Sequence, residues 1–469
     1  MNRLHPALLV PPPLDDDEPD EYDAPQPEHT PVRILDVAGV GIGPFNLSLA
    51  ALAAGHPDLQ IALFDERPRF SWHPGTIPAA ALQTGFLADL VTLVAPASPW
   101  SFLSYLCAHD RMYPFYLSGR SRLRPREYED YCRWAAEGLP SCHFGARVDT
   151  VSWDNSRRCF AIRVARTADA VHSAGNDLFG DGVRAIVYAR HVVLGTGSAP
   201  QVPFALPPAA GAEVFHSAEY AQRAPRLGGR RHITVVGSGQ SGAEVFLDLL
   251  RRQDREDWAL SWLTRSPGFA PLESSALAAE QLTPEFLRYV HGLAEPARQA
   301  VLAAGWRLHR AVDPVTLDAI FAELYEHLVD GCRPPVVLRP GFAVESMFPS
   351  TGGVTLSGRH TADGTPMRIE TDAVVLATGY SSRRPACLAP LEGQIRWDPR
   401  GPGLDFRLAV DPPVTGGLFV QNSGQHSQGA AGSSLALGAY RAAAILNQVA
   451  GRELYPLPKR TAFTTFGPG

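Results

Sequence analysis

Two stretches of this chain set three closely spaced glycines between an apolar run and a segment of helical pattern. The first runs Ile34-Leu35-Asp36-Val37-Ala38-Gly39-Val40-Gly41-Ile42-Gly43-Pro44 and continues through Phe45 and Asn46 to a stop near Gly55. The second runs His232-Ile233-Thr234-Val235-Val236-Gly237-Ser238-Gly239-Gln240-Ser241-Gly242 and continues to Arg252. A strand that turns directly into a helix needs residues that accept positive φ and close backbone approach, which glycine does without strain. The helix N-terminus made in this way offers unpaired N–H groups to a phosphate. Each turn is followed by a second apolar strand, QIALFDE over 60–66 and LSWLTRS over 260–266. Two such openings leave few choices, and the expected class is α/β with two Rossmann-like dinucleotide-binding units.

The two turns differ where specificity is set. In the first, Pro44 stands where the third glycine of GxGxxG belongs, and Asp65 and Glu66 close the next strand about 20 residues on. A carboxylate there accepts from a ribose 2′-hydroxyl and repels a 2′-phosphate. The second turn matches GxGxxG in full, and its following strand ends in Thr264-Arg265, where an arginine suits a 2′-phosphate. One acid-ended and one arginine-ended unit imply FAD together with NADPH, the flavin taking hydride and passing electrons to a disulfide, a protein or oxygen. VVLGTG (192–197) and DAVVLATGY (372–380) are expected to return the chain to a nucleotide-bearing sheet, 270–330 to be helix-rich, and 434–450 to form the last helix after a strand at GLFVQNS. The expected division is an FAD-binding domain over 32–205 and 340–469, and an NADPH-binding domain over 206–339 that includes a helical substrate segment, 270–330.

Composition narrows the rest. Residues 1–31 hold Pro11–Pro13 and a run of acids from Asp15 to Asp23, a disordered tail by pattern. A net charge of −6 offers no basic field for nucleic acid or anionic lipid, and no apolar run reaches the roughly 18 residues of a spanning helix. The six cysteines, Cys107, Cys132, Cys142, Cys159, Cys332 and Cys387, form no CxxC or CxxxxC pair. A disulfide acceptor and a metal site are therefore disfavoured, and a reduced, cytoplasmic protein is expected. Lys459 is the only lysine, so a role that needs lysine mid-chain has no candidate.

SWHPG (71–75), LQTGFLADLVTLVAPASPWSFLSYL (82–106), GSGQSGAEVF and DAVVLATGYSSRRP (372–385) together resemble the N-hydroxylating flavin monooxygenases of siderophore synthesis, which act on lysine, ornithine or diamines. The pattern D-x3-L-ATGY-x4-P is complete in Asp372, Leu376, Ala377, Thr378, Gly379, Tyr380 and Pro385. The resemblance covers nearly all of 32–450. It implies that Trp72 and His73 lie beside the flavin, that Gln83 faces the isoalloxazine and its oxygenated form, and that Val148, Ser433, Ser434 and Leu435 also meet FAD. Ser238, Gln240, Ser241, Arg265 and Tyr380 would hold NADPH. Oxygen would reach a neutral amine from a C4a-hydroperoxyflavin.

The departures point to the substrate. Where the resemblance places a lysine that grips an α-carboxylate, an asparagine before the TPE turn and a serine in the last helix, this chain has Ala88, Ala279 and Ala436. A carboxylate buried there without partners costs several kcal/mol. A diamine such as cadaverine or putrescine is therefore expected, with Glu280 receiving its second ammonium; lysine, ornithine and a histamine-type amine are the alternatives. The protein is expected to form a dimer or tetramer.

Overall fold

The computed structural model describes residues 33–75, 77, 82–167, 182–205, 213–330, 335–398, 401–421, 431–432 and 434–467. The expected acidic tail and Ser433 lie outside the described residues, as does Cys332. Two sheets organise the chain. The first has the order Cys142–Phe144, Ile61–Asp65, Ile34–Val40, Arg184–Leu194, Cys159–Arg166, Ala146–Asp154, with Gly417–Val420 also pairing with Arg184–Leu194. The second is wholly parallel: Val336–Arg339, Ala259–Leu263, His232–Val236, Ala373–Leu376, Glu213–His216. The α/β class and both strand–turn–helix openings are thus present, and ATGY follows a strand of the second sheet.

Parallel strands buried on both faces read as unbroken apolar runs, and the central strands here do so. The helix Pro44–Ala53 is buried along its whole length, because the closing helix Gly438–Ala450 packs on it. Leu47, Leu49 and Ala50 share one core with Ala442, Ala443, Ile445 and Leu446. Gly451, at φ +63°, ends the closing helix.

One expectation is corrected. The domain boundary at 340 falls inside the second unit, since an antiparallel meander of Phe342–Ser350, Gly353–His360 and Pro366–Thr371 buries Phe342, Met347, Val354 and Leu356 against Val236, Leu263 and Leu376. The chain leaves that unit only after Leu376. Within the expected helix-rich segment 270–330, the stretch from Leu282 forms two helices, Pro284–Gly292 and Glu295–Ala304. Pro296 lies in the first turn of the second helix, where its missing N–H costs nothing, but it could not continue the first.

The two crossings between the units pair with each other. Ala199–Pro200 and Tyr380–Ser381 form a short antiparallel ladder, Gln201 N–H donates to Gly379 O at 2.9 Å, and the Thr378 hydroxyl donates to Gln201 O.

Candidate cofactor and substrate site

At the first turn Gly41 has φ +85°, and a Cβ there would stand 2.7 Å from Gly195 O; at Gly39 it would stand 2.2 Å from Leu63 Cδ2. At Gly43 the nearest atom to a Cβ is 3.9 Å away, so this side of the turn is open. Gly43 is the N-cap of the helix and has no side chain to accept its first N–H groups. Asn46 Nδ2 donates to Gly41 O at 2.8 Å and fixes the turn. An open turn at a helix N-terminus whose cap lacks a side chain suits a pyrophosphate.

Asp65 and Glu66 have different roles. Asp65 is buried and accepts from Ile42 N at 2.8 Å, from Arg67 N at 2.9 Å and from the Arg67 guanidinium at 2.8 and 2.6 Å. Burial alone would raise its pKa; Arg67 and the backbone donors outweigh that and hold the carboxyl below the usual range. Asp65 therefore braces the turn, and Glu66, exposed at the strand end, is the carboxylate turned toward solvent. Arg67, which the sequence did not single out, also donates to Ser71 O and so ties this strand end to Trp72.

At the second turn Gly237 has φ +121° and packs against the ATGY segment, a Cβ there falling 2.1 Å from Ala377 O. Trp262 Nε1 donates to Gly237 O at 2.8 Å, and Gly242 is held against the same carbonyl. Gly239 caps the helix Gln240–Arg252. Ser238 shares a 2.7 Å hydrogen bond with Thr264, while Ser241 and Arg265 are exposed. The Gln240 side chain turns inward: Nε2 donates to Glu244 at 2.7 Å and Oε1 accepts from Asp313 N at 2.8 Å. Burial pushes the Glu244 carboxyl up to about 7 against the lowering effect of Gln240. Asp372 explains the acid of the ATGY pattern, since its carboxylate accepts from Arg231 N and His232 N at 2.9 Å each and so starts the neighbouring strand.

Between the units, Tyr380 stands between two histidines. Its ring lies 6.1 Å from His73, edge-on, and 5.2 Å from His216. His216 is buried; its Nδ1 accepts from Ala218 N, so Nε2 carries the proton and donates to Gly379 O at 3.1 Å. Burial, opposed by that bond, keeps its pKa below the usual value. His73 has φ +49°, and its ring lies 4.8 Å from Trp72, which in turn meets Tyr128 at 4.9 Å. Desolvation, then the Arg67 charge, lowers the His73 pKa. Gln83 is exposed on a loop pinned to its neighbour by Leu82 N to Leu123 O (2.8 Å) and Phe86 N to Ser121 O (3.0 Å).

Ala88 and Ala436 are half-buried beside core residues, Leu90 and Val91 in the first case and Leu437 in the second, whereas Ala279 is exposed at the end of the short helix Ala276–Ala279. Asp89, unremarked in the sequence, accepts from Val91, Thr92 and Phe102 N–H groups and shapes the Ala88 loop. Ser434 accepts from Ala436 N, and Leu435 packs on that core. Val148 lies at a bulge in its strand, against the other face of the first sheet.

The expected role of Glu280 does not survive. Its carboxylate accepts from Phe463 N at 2.8 Å, Thr464 N at 2.9 Å and the Thr464 hydroxyl. Glu285 likewise holds Thr461 N and Ala462 N, at 2.7 and 3.1 Å. Both acids strap the C-terminal segment to the helical segment and are not substrate acceptors.

The model of the L-lysine 6-monooxygenase/L-ornithine 5-monooxygenase family matches residues 33–382. The chain belongs to this family. It is 37% identical over 444 residues to the rhizobactin siderophore biosynthesis protein RhbE of Rhizobium meliloti, covering 92% of this chain and 95% of that one. Among solved structures, the FAD-bound desferrioxamine-pathway cadaverine monooxygenase DfoA of Erwinia amylovora is 34% identical with a TM-score of 0.84, covering 93% and 99%. An ornithine N-hydroxylase of Kutzneria sp. 744 with reduced FAD, NADP+ and L-ornithine is 26% identical with a TM-score of 0.78, covering 89% and 99%. Among the described residues, no helix is long and apolar enough to cross a membrane.

Proposed function

We propose that this protein is a cytoplasmic FAD- and NADPH-dependent N-monooxygenase of a diamine such as cadaverine or putrescine, whose hydroxylamine product an acyl-transfer step would convert to a hydroxamate. The open N-terminus at Gly43 and the exposed Glu66 would hold FAD, with Trp72, His73, Gln83, Val148, Ser433, Ser434 and Leu435 around it. The turn from Gly237 to Gly242 and Arg265 would hold NADPH, with Tyr380 at the junction. FAD, when reduced by NADPH, supplies activated oxygen. The protein's own part is orientation and exclusion of water. An alkyl ammonium has a pKa near 10 and must lose its proton to react; a site that excludes water favours the neutral form.

The observation that carries the substrate class is the triple replacement at Ala88, Ala279 and Ala436. Likeness to the cadaverine monooxygenase supports it; the family description supports lysine or ornithine as the second reading. The deciding measurement is kcat/KM for hydroxylamine formation with cadaverine against lysine at one pH and fixed NADPH. Cadaverine is expected to win by at least about tenfold, the discrimination that one or two kcal/mol of unpaired carboxylate brings; a tenfold advantage for lysine would overturn the reading.

NADPH preference rests on Arg265. Arg265→Ala is expected to raise the NADPH KM about ten- to a hundredfold, as for loss of one charge-assisted phosphate contact, and to leave NADH nearly unchanged. Equal effects on both nucleotides would show that Arg265 does not read the phosphate. A dimer or tetramer also belongs to this proposal, and exposed Phe321, Tyr325, Leu328 and Val329 on the helix Pro314–Asp330 give an assembly apolar surface to cover.

A further inference from the structure

The Gln83 loop lies outside the sheet that carries the second glycine turn, and an ion pair joins the two. The Arg122 guanidinium is bonded to the Asp313 carboxylate. On one side, the Arg122 backbone forms an antiparallel bridge with Gly85, between the two backbone bonds that hold Leu82 and Phe86. On the other side, Asp313 N donates to Gln240 Oε1 at 2.8 Å, and Gln240 is the first residue of the helix that Gly239 caps. The same segment lays Arg310 O over that turn, 3.6 Å from a Cβ at Gly239. Gln240 Nε2 reaches Thr316 at 3.2 Å.

The carboxylate at the centre is held in place. Asp313 Oδ1 accepts from Val315 N at 3.0 Å while Oδ2 meets Arg122. The Asp313 side chain is 10% exposed and that of Arg122 35%. A charge pair removed this far from water is stronger and less screened than a surface pair. Rigid links run in both directions from it, through a strand-like bridge to the Gln83 loop and through an amide to the helix N-terminus. Neither residue is placed to touch reacting atoms.

We propose that Arg122 and Asp313 are a positioning pair that couples nucleotide binding at the second glycine turn to the placement of the Gln83 loop, an inference that rests on the FAD/NADPH reading above. Coupling of this kind is reciprocal: order that the nucleotide imposes on the turn is passed to residues 82–88, and a displaced loop weakens the nucleotide.

Asp313→Asn keeps the backbone donor to Gln240 and an acceptor for Val315 while removing the negative charge; Arg122→Gln removes the positive charge and the guanidinium contact from the other side. The full-length FAD-loaded protein is titrated with NADP+, and hydrogen exchange of residues 82–88 is followed with and without NADP+. Each single variant is expected to weaken NADP+ about five- to twentyfold, within the usual range of coupling. The double variant Arg122→Gln/Asp313→Asn should be no more than about twofold weaker than either single variant. The reversed pair, Arg122→Asp/Asp313→Arg, should recover part of the loss. Exchange in 82–88 should quicken in both single variants and lose its response to NADP+, a response that a purely local fold defect does not remove. Unchanged NADP+ affinity, additive effects or unaltered exchange in 82–88 would overturn the proposal. If the wild-type protein itself fails to bind NADP+, the cofactor reading has failed, and the nucleotide-free exchange still decides the pair: quicker exchange restored by reversal supports its hold on the loop, and no change refutes it.

Discussion

Gly237→Ala is expected to slow NADPH-driven flavin reduction on the order of a thousandfold while FAD stays bound. At φ +121° this residue lies where an L-side chain is strained, and its new Cβ would stand 2.1 Å from Ala377 O. Ala377 belongs to the segment that runs into Gly379 and Tyr380, so the turn and that segment cannot both keep their places. A displacement of about 1 Å costs roughly a hundredfold in a positioned reaction. Lost phosphate contacts at the helix N-terminus cost about another tenfold in binding. The first glycine turn is on another sheet, so the flavin content of the purified protein should be unchanged. Anaerobic stopped-flow reduction by NADPH, compared with reduction by dithionite, measures the effect. Wild-type reduction by NADPH would mean that the turn does not cradle the nucleotide. Loss of FAD would mean that the two units are not independent at this point.

Sequence pattern showed what is local and left dark what is distant. Both glycine turns, the strands beside them and the ATGY segment were legible because each is one apolar run ended by residues with a single conformational use. Asp372 was legible as part of a pattern, but its reason, two N–H groups at residues 231 and 232, needs the fold. The meander after residue 340 alternates as strands should, yet alternation does not say which sheet its apolar face covers. Glu280 stood beside Ala279 in a segment expected near substrate; its partners, Phe463 and Thr464, lie more than 180 residues away, beyond any periodicity. Asp65 and Glu66 both fit the ribose acceptor that often closes this strand, and pattern alone does not separate them; the fold does, by engaging Asp65 with Arg67 and the turn. The Arg122–Asp313 pair spans 191 residues and has no local signature at all.

Arg441 presents the largest stability effect, because it is a buried cation that hydrogen-bonds to carbonyl groups. It is 1% exposed in the closing helix and donates to Gln421 O, to Gly432 O at 3.1 Å and to Ala431 O at 3.3 Å. Its guanidinium lies 5.1 Å from the ring centres of both Phe45 and Phe406, and burial pushes its pKa down to about 9. Gln421 in turn donates to Phe45 O at 3.2 Å, next to the Pro44 turn. Removing the side chain takes the donor from Gln421 O and Gly432 O, leaves Ala431 O with Ser434 N alone at 3.4 Å, and opens a void between two aromatic rings. Each orphaned group costs about 1–3 kcal/mol, and partial relaxation brings the expected total for Arg441→Ala to about 3–5 kcal/mol, a large share of a protein's stability. Since Phe45 follows the open end of the first turn, bound FAD should fall with stability. Arg441→Met fills the space without donors, and Arg441→Lys keeps the charge without the planar fork. Denaturant midpoints should order wild type above Lys, Lys above Met, and Met above Ala, with flavin content following. A Met variant as stable as wild type would show that packing between the two rings, and not the carbonyl bonds, is what Arg441 contributes.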